Sequence, residues 1–126
     1  MVVDSIATRN AVLAARAVLL ANGSYQVRTG APAGPDNAAG GTLLATFALD
    51  GTPCSAPSGG SMALADVPME VNAVAAGTMG HLRFLSSTSA VVCEMTIGTS
   101  GADIIFSSIV VALSEPIRIT GITFTA

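Results

Sequence analysis

Between residues 5 and 22 apolar side chains recur at helical spacing. Ile6, Leu13, Ala17 and Leu20 fall on one stripe, and Val12 and Leu19 widen it. Ala, Leu and Arg, all good helix formers, fill the interior. Ser5 or Thr8 can cap the N-terminus, and Asn22-Gly23 supplies a left-handed stop. The spacing predicts one helix over 5–22, lying against one side or end of a sheet. Arg9 and Arg16, seven residues apart, share another face of it.

After Gly23 the period drops from 3.6 to 2. Tyr25 and Val27 alternate with Gln26 and Arg28; Leu43, Ala45, Phe47 and Leu49 mark an inward strand face; Leu82 and Phe84 alternate with His81 and Arg83. Val91, Cys93, Met95 and Ile97 make a further face, and residues 104–113 read as one or two short β segments. Weaker strands are expected at 62–65 and 69–75, separated by Pro68. In the last strand the apolar phase jumps from Ile117 and Ile119 to Ile122 and Phe124, which a bulge at Thr120-Gly121 would reconcile. Residues 30–41, with two Pro and four Gly, and residues 51–61 read as long exposed loops. Gly98-Thr-Ser-Gly101 reads as a hairpin turn. Seven or eight short strands at near-regular spacing argue for a mainly β fold, an antiparallel sandwich of jelly-roll type with one N-terminal helix. The expected organisation is a single domain over 1–126, with helix at 5–22 and β-sandwich at 24–126.

Composition changes the picture chiefly through charge. Half of the residues are hydrophobic, 51%, and only 10% are charged, against an average of about 25%. A folded chain of this mass exposes roughly 6,000 Å², and thirteen ionic groups, five Arg and eight acids, are available to cover it. Large exposed apolar areas mark contact surfaces, so an obligate homo-oligomer is the favoured expectation. No run of 18 apolar residues suits a membrane span, and Asp4 and Arg9 interrupt the place where a leader's apolar stretch would start. Synthesis in the cytoplasm is expected. Net charge is −3 with scattered Arg and no Lys, which disfavours nucleic-acid binding.

Catalytic and metal chemistry find little support. His81 is the single histidine; no local motif activates a nucleophile beside it, and an exposed or partly satisfied strand position is expected. Cys54, His81 and Cys93 lack zinc-type spacing. Asp66 and Glu70 are separated by about 13 Å on an extended chain, too far to share a proton or metal. Two free thiols are expected, with Cys93 a small buried hydrophobe. No cofactor, metal or enzymatic activity is expected. Contacts are instead expected from the two loops and the helix, through Leu13, Leu20, Pro32, Pro35, Asp36, Pro53 and Pro57.

Three blocks carry a resemblance. They are Tyr25-Gln-Val-Arg-Thr-Gly30 followed by a Pro/Asp loop and Gly41-Thr-Leu-Leu-Ala-Thr-Phe47; Gly80-His-Leu-Arg-Phe-Leu85; and Ile97-Gly-Thr-Ser-Gly-Ala-Asp103 leading to Thr120-Gly-Ile-Thr-Phe-Thr125. In this order, behind an N-terminal helix, they resemble small proteins from the structural modules of tailed bacteriophages and prophages. The resemblance implies a virion component. A small, charge-poor β-domain with long loops fits a head-decoration or cement protein on the capsid exterior, and the resemblance implies a homotrimer with the major capsid protein as its further partner. A tail or neck accessory protein, such as a fibre base, and a receptor- or glycan-binding module are the alternatives.

Overall fold

The computed structural model describes residues 2–126. One helix, α1 (Ile6–Leu20), precedes ten strands: β1 (Ser24–Thr29), β2 (Leu43–Ala48), β3 (Ser61–Ala63), β4 (Met69–Asn72), β5 (Gly77–Leu85), β6 (Val91–Gly98), β7 (Ile104–Ile105), β8 (Val110–Val111), β9 (Pro116–Ile119) and β10 (Thr123–Thr125). The chain is mainly β, with several sheets that do not close.

The helix starts where the sequence places it. The Ser5 hydroxyl accepts a hydrogen bond from Thr8 N at 3.1 Å, satisfying one of the free N–H groups of the first turn. It ends at Leu20, where Ala21 leaves the helical path with ψ 126° and Asn22 follows in the left-handed region with φ 57°. Gly23 follows, and a side chain there would run into the Leu85 carbonyl of β5. The helix is thereby tied to the end of the sheet.

The main sheet has the order β2-β1-β5-β6-β7, with β8 paired to the first two residues of β5. The register sets Tyr25 opposite both Phe47 and Phe84, and Phe84 opposite Cys93. Alternation then sends Tyr25, Val27, Phe47, Leu82 and Phe84 to one face, where all are fully buried. Tyr25 stacks on Phe47 with ring centroids 4.8 Å apart, and Phe84 meets the edge of Phe124 at 5.2 Å. Two short antiparallel ladders, β3–β10 and β4–β9, contribute Met62, Phe124, Ile117 and Ile119 to this core. Leu13 and Leu20 of the helix complete it.

Two expectations need correction, and a third, that of two long exposed loops, needs completing. Ile117, Ile119, Ile122 and Phe124 are all buried as their phase required, but no bulge achieves it. The chain breaks at residues 120–122 and changes partner, from β4 to β3. The segment at residues 98–101 is not a hairpin turn either, because β6 and β7 run parallel, Ile97 beside Ile104. Asp103 folds the intervening loop back on the strand: its Oδ2 accepts from Thr96 N and Thr96 Oγ1, and its own N–H donates to Thr96 Oγ1. Third, neither long loop projects freely. Residues 51–61 double back on β3, with Cys54 bridged to Leu64, Ser55 N donating to the Ala63 carbonyl and Pro53 buried. Residues 30–41 lie over the outer face of the main sheet.

Candidate functional site

Two surfaces stand out, and the first is that outer face. The alternation that buries Tyr25 and Phe84 puts Gln26, Arg28, His81, Arg83, Glu94 and Thr96 on the opposite side, in register across β1, β5 and β6. Residues 30–41, the connection between β1 and β2, cross these side chains as a strap. Arg28 Nε donates to the Gly40 carbonyl at 2.9 Å and Nη1 to Gln26 Oε1 at 2.9 Å. Arg83 Nη2 donates to the Asn37 carbonyl, while Arg83 Nη1 reaches Glu94 Oε2 at 3.1 Å. Glu94 Oε1 accepts from Gly34 N at 2.8 Å. His81 Nδ1 lies 2.8 Å from the Gly30 carbonyl, which requires that nitrogen to carry the proton. The strap approaches so closely at Gly80 that any side chain there would strike the Gly30 backbone.

His81 is fully buried and only partly satisfied, the second of the two positions expected of it. Its Nε2 has no hydrogen-bond partner and stands 3.9 Å from Glu94 Oε2. The arrangement clamps a loop: each charged group holds backbone or an opposite charge, as buried charges must. Among the described residues no group of three or more His, Cys, Asp or Glu is placed to hold a metal ion. A groove of 350 Å³ between residues 103–107 and 118–123 is bordered by Asp103, already committed to Thr96, and by the exposed Arg118.

The second surface is the outer side of α1. Arg9 and Arg16 turn inward beside the buried stripe. The Arg9 guanidinium packs on Gly60, whose N–H donates to Asn10 Oδ1, and Arg16 lies 5.8 Å above the Phe124 ring. What remains outside is uncharged: Ala7, Ala11, Ala14, Ala15 and Val18 along the middle, with Val12 and Leu19 on one flank. Of ten exposed large hydrophobic residues, six lie between Val2 and Leu19, with Val18 76% and Leu19 56% exposed. On the other flank Ala17, Val18, Ala21, Pro53 and Cys54 border a cleft of 290 Å³.

The anticipated contact residues scatter accordingly. Leu13 and Leu20 are 0% exposed, so these two belong to the fold's own interior and offer nothing to a partner, while Pro53 is largely buried and shows an edge to the cleft beside α1. Pro32 and Pro57 are half-buried, while Pro35 and Asp36 are exposed at the crown of the strap. The correction follows from the wheel: the stripe that looks most apolar is the one the chain uses itself. Both cysteines are free and half-buried. Burial pushes both thiols up, and at Cys93 the nearby Arg16 partly opposes this.

Among the described residues no helix is long and apolar enough to cross a membrane. No protein-family model, curated protein or solved structure matches the chain.

Proposed function

We propose that the chain is a structural component of a tailed-bacteriophage particle, a decoration or cement protein on the capsid exterior that works by burying surface against its own copies and the major capsid protein. The observation that carries this reading is the uncharged outer face of α1, set on a fold whose core is already complete. The accessible area, 6473 Å², is close to the ~6,200 Å² of a compact monomer of this mass. The exposed apolar residues are thus a surface feature, and such patches mark association sites.

The charge distribution supports the same reading. Of thirteen ionic residues, the exposed ones are Arg118 against Asp4, Asp36, Asp50, Asp66, Glu70, Asp103 and Glu115, one cation to seven acids. Such a skin repels packaged DNA and suits an outward position. The sheets are read as the two layers of a jelly-roll-like sandwich. Each ~1,000 Å² of apolar contact contributes on the order of 25 kcal/mol before the costs of association.

The test is location. A density map of the parent particle should show the protein on the capsid lattice, and adding purified protein to heads that lack it should raise their resistance to heat. Density confined to the tail would favour a tail accessory role, and absence from the particle would end the proposal.

A further inference from the structure

We infer that the outer side of α1 is the contact between copies of this chain, arranged around an axis parallel to the helices, with Leu19 of each copy seated in the cleft beside Cys54 of the next. The inference deepens the proposed function by naming one partner and the surface it uses.

The helix carries both halves of a self-complementary joint. Take Val18, the most exposed large hydrophobic residue of the helix, as the outward direction. At about 100° per residue, Leu19 and Val12 lie roughly 100–120° to one side, and Ala17 and Ala21 lie roughly 60–100° to the other. The first side presents exposed branched side chains; the second presents the 290 Å³ cleft, walled by Ala17, Ala21, Pro53 and Cys54. That volume is about twice that of apolar cavities which accept a benzene-sized guest. Leu19 also stands midway in height between Ala17 and Ala21. Rotation about an axis parallel to the helix leaves heights unchanged, so Leu19 of one copy arrives level with the cleft of its neighbour. An antiparallel two-fold would instead set Leu19 flank against Leu19 flank and cleft against cleft.

Charge selects the same occupant. The exposed ionic groups elsewhere are seven acids and Arg118, so copies meeting through those surfaces would set like charges together. Neither the Leu19 flank nor the cleft holds a charged residue. The two faces meet without repulsion and without an unpaired ion to bury. The exposed alanines between them let neighbouring helices approach closely.

A cysteine at the tip of the projecting side chain reads the geometry directly. In a Cys93→Ser background, Leu19→Cys should form intermolecular disulfides with the natural Cys54 under mild oxidation, giving covalent multiples of 12.5 kDa that vanish on adding Cys54→Ser. By sedimentation the wild-type chain should be a closed oligomer, and Val18→Asp should weaken its association at least tenfold while leaving a folded monomer. A wild-type monomer at ~100 μM, an oligomer indifferent to Val18→Asp, or Leu19→Cys cross-links that survive Cys54→Ser would each overturn the inference. Failure here is distinguishable from failure of the proposed function. A monomer that still binds capsids sinks only the self-contact; an oligomer absent from every particle sinks only the virion role.

Discussion

The outer face of the main sheet and the outer face of α1 treat their side chains in opposite ways. On the sheet, Arg28, Arg83, His81 and Glu94 are covered by the protein's own strap and hydrogen-bonded to it. On the helix, alanines, Val12, Val18 and Leu19 face outward with nothing over them. A solitary protein is expected to do the reverse, with charge outside and aliphatic groups inside. In a chain with thirteen ionic residues, committing Arg83 and Glu94 to a buried clamp leaves fewer for the exterior. The difference teaches that the scarce charges were used to fix a loop, while the aliphatic face of the helix was left exposed.

The comparison can be broken from either side. The largest losses should come from the sheet. Phe84→Ala, in the aromatic cluster beneath the seam, should cost about 3–5 kcal/mol in urea unfolding. Glu94→Ala should cost a similar ~3–5 kcal/mol, because Arg83 would remain buried without its counter-charge. Proteolysis should then cut within residues 34–39. Replacing Arg83 and Glu94 together by leucine should recover much of that loss; no recovery would show that the clamp does more than neutralise charge.

Alkaline titration comes next. Burial raises the Tyr25 phenol and the Cys54 and Cys93 thiols above their ordinary values, so the folded state favours their protonated forms. Their contribution is complete below the unfolded pKa values and is lost as pH climbs past them. Stability should therefore fall above about pH 8.5 as thiols ionise in the unfolded chain, and faster above about pH 10, where the phenol follows. A melting temperature flat from pH 8 to 11 would contradict this. Removing the cap with Ser5→Ala should cost about 1 kcal/mol. The smallest effect belongs to the helix face: Val18→Ser should change the stability of dilute monomer by no more than about 0.5 kcal/mol, although it alters association. A large loss there would mean that the residue supports the fold itself.

The inward pattern was plain in the sequence wherever two-residue alternation ran uninterrupted. Tyr25, Val27, Phe47, Leu82, Phe84 and the 117/119/122/124 set are buried as their phase demands. The helix and its Ser5 cap were readable for the same reason, since both are local signals. Partner choice was not local. Nothing in Ile104–Ile105 announces a parallel ladder with β6, and nothing in the 120–122 step announces a change of sheet. The clamp was half visible: Arg28, His81, Arg83 and Glu94 share the polar phase of their strands, yet only tertiary contact shows residues 30–41 lying across them. Contact residues were misassigned at Leu13 and Leu20 because periodicity finds an apolar stripe without saying whether the fold or a neighbour covers it. The charge-free arc opposite that stripe becomes clear only with the inward turn of Arg9 and Arg16.

The position of β1 between β2 and β5 has a kinetic consequence. Its first partner is reached through a hairpin, its second only after roughly fifty residues of intervening chain. Helix and hairpin can form within microseconds, whereas the central pairing with β5 must await closure of that long loop. A nascent chain would thus display its sticky helical surface before the sheet that anchors it exists, so yield on refolding should fall steeply with protein concentration.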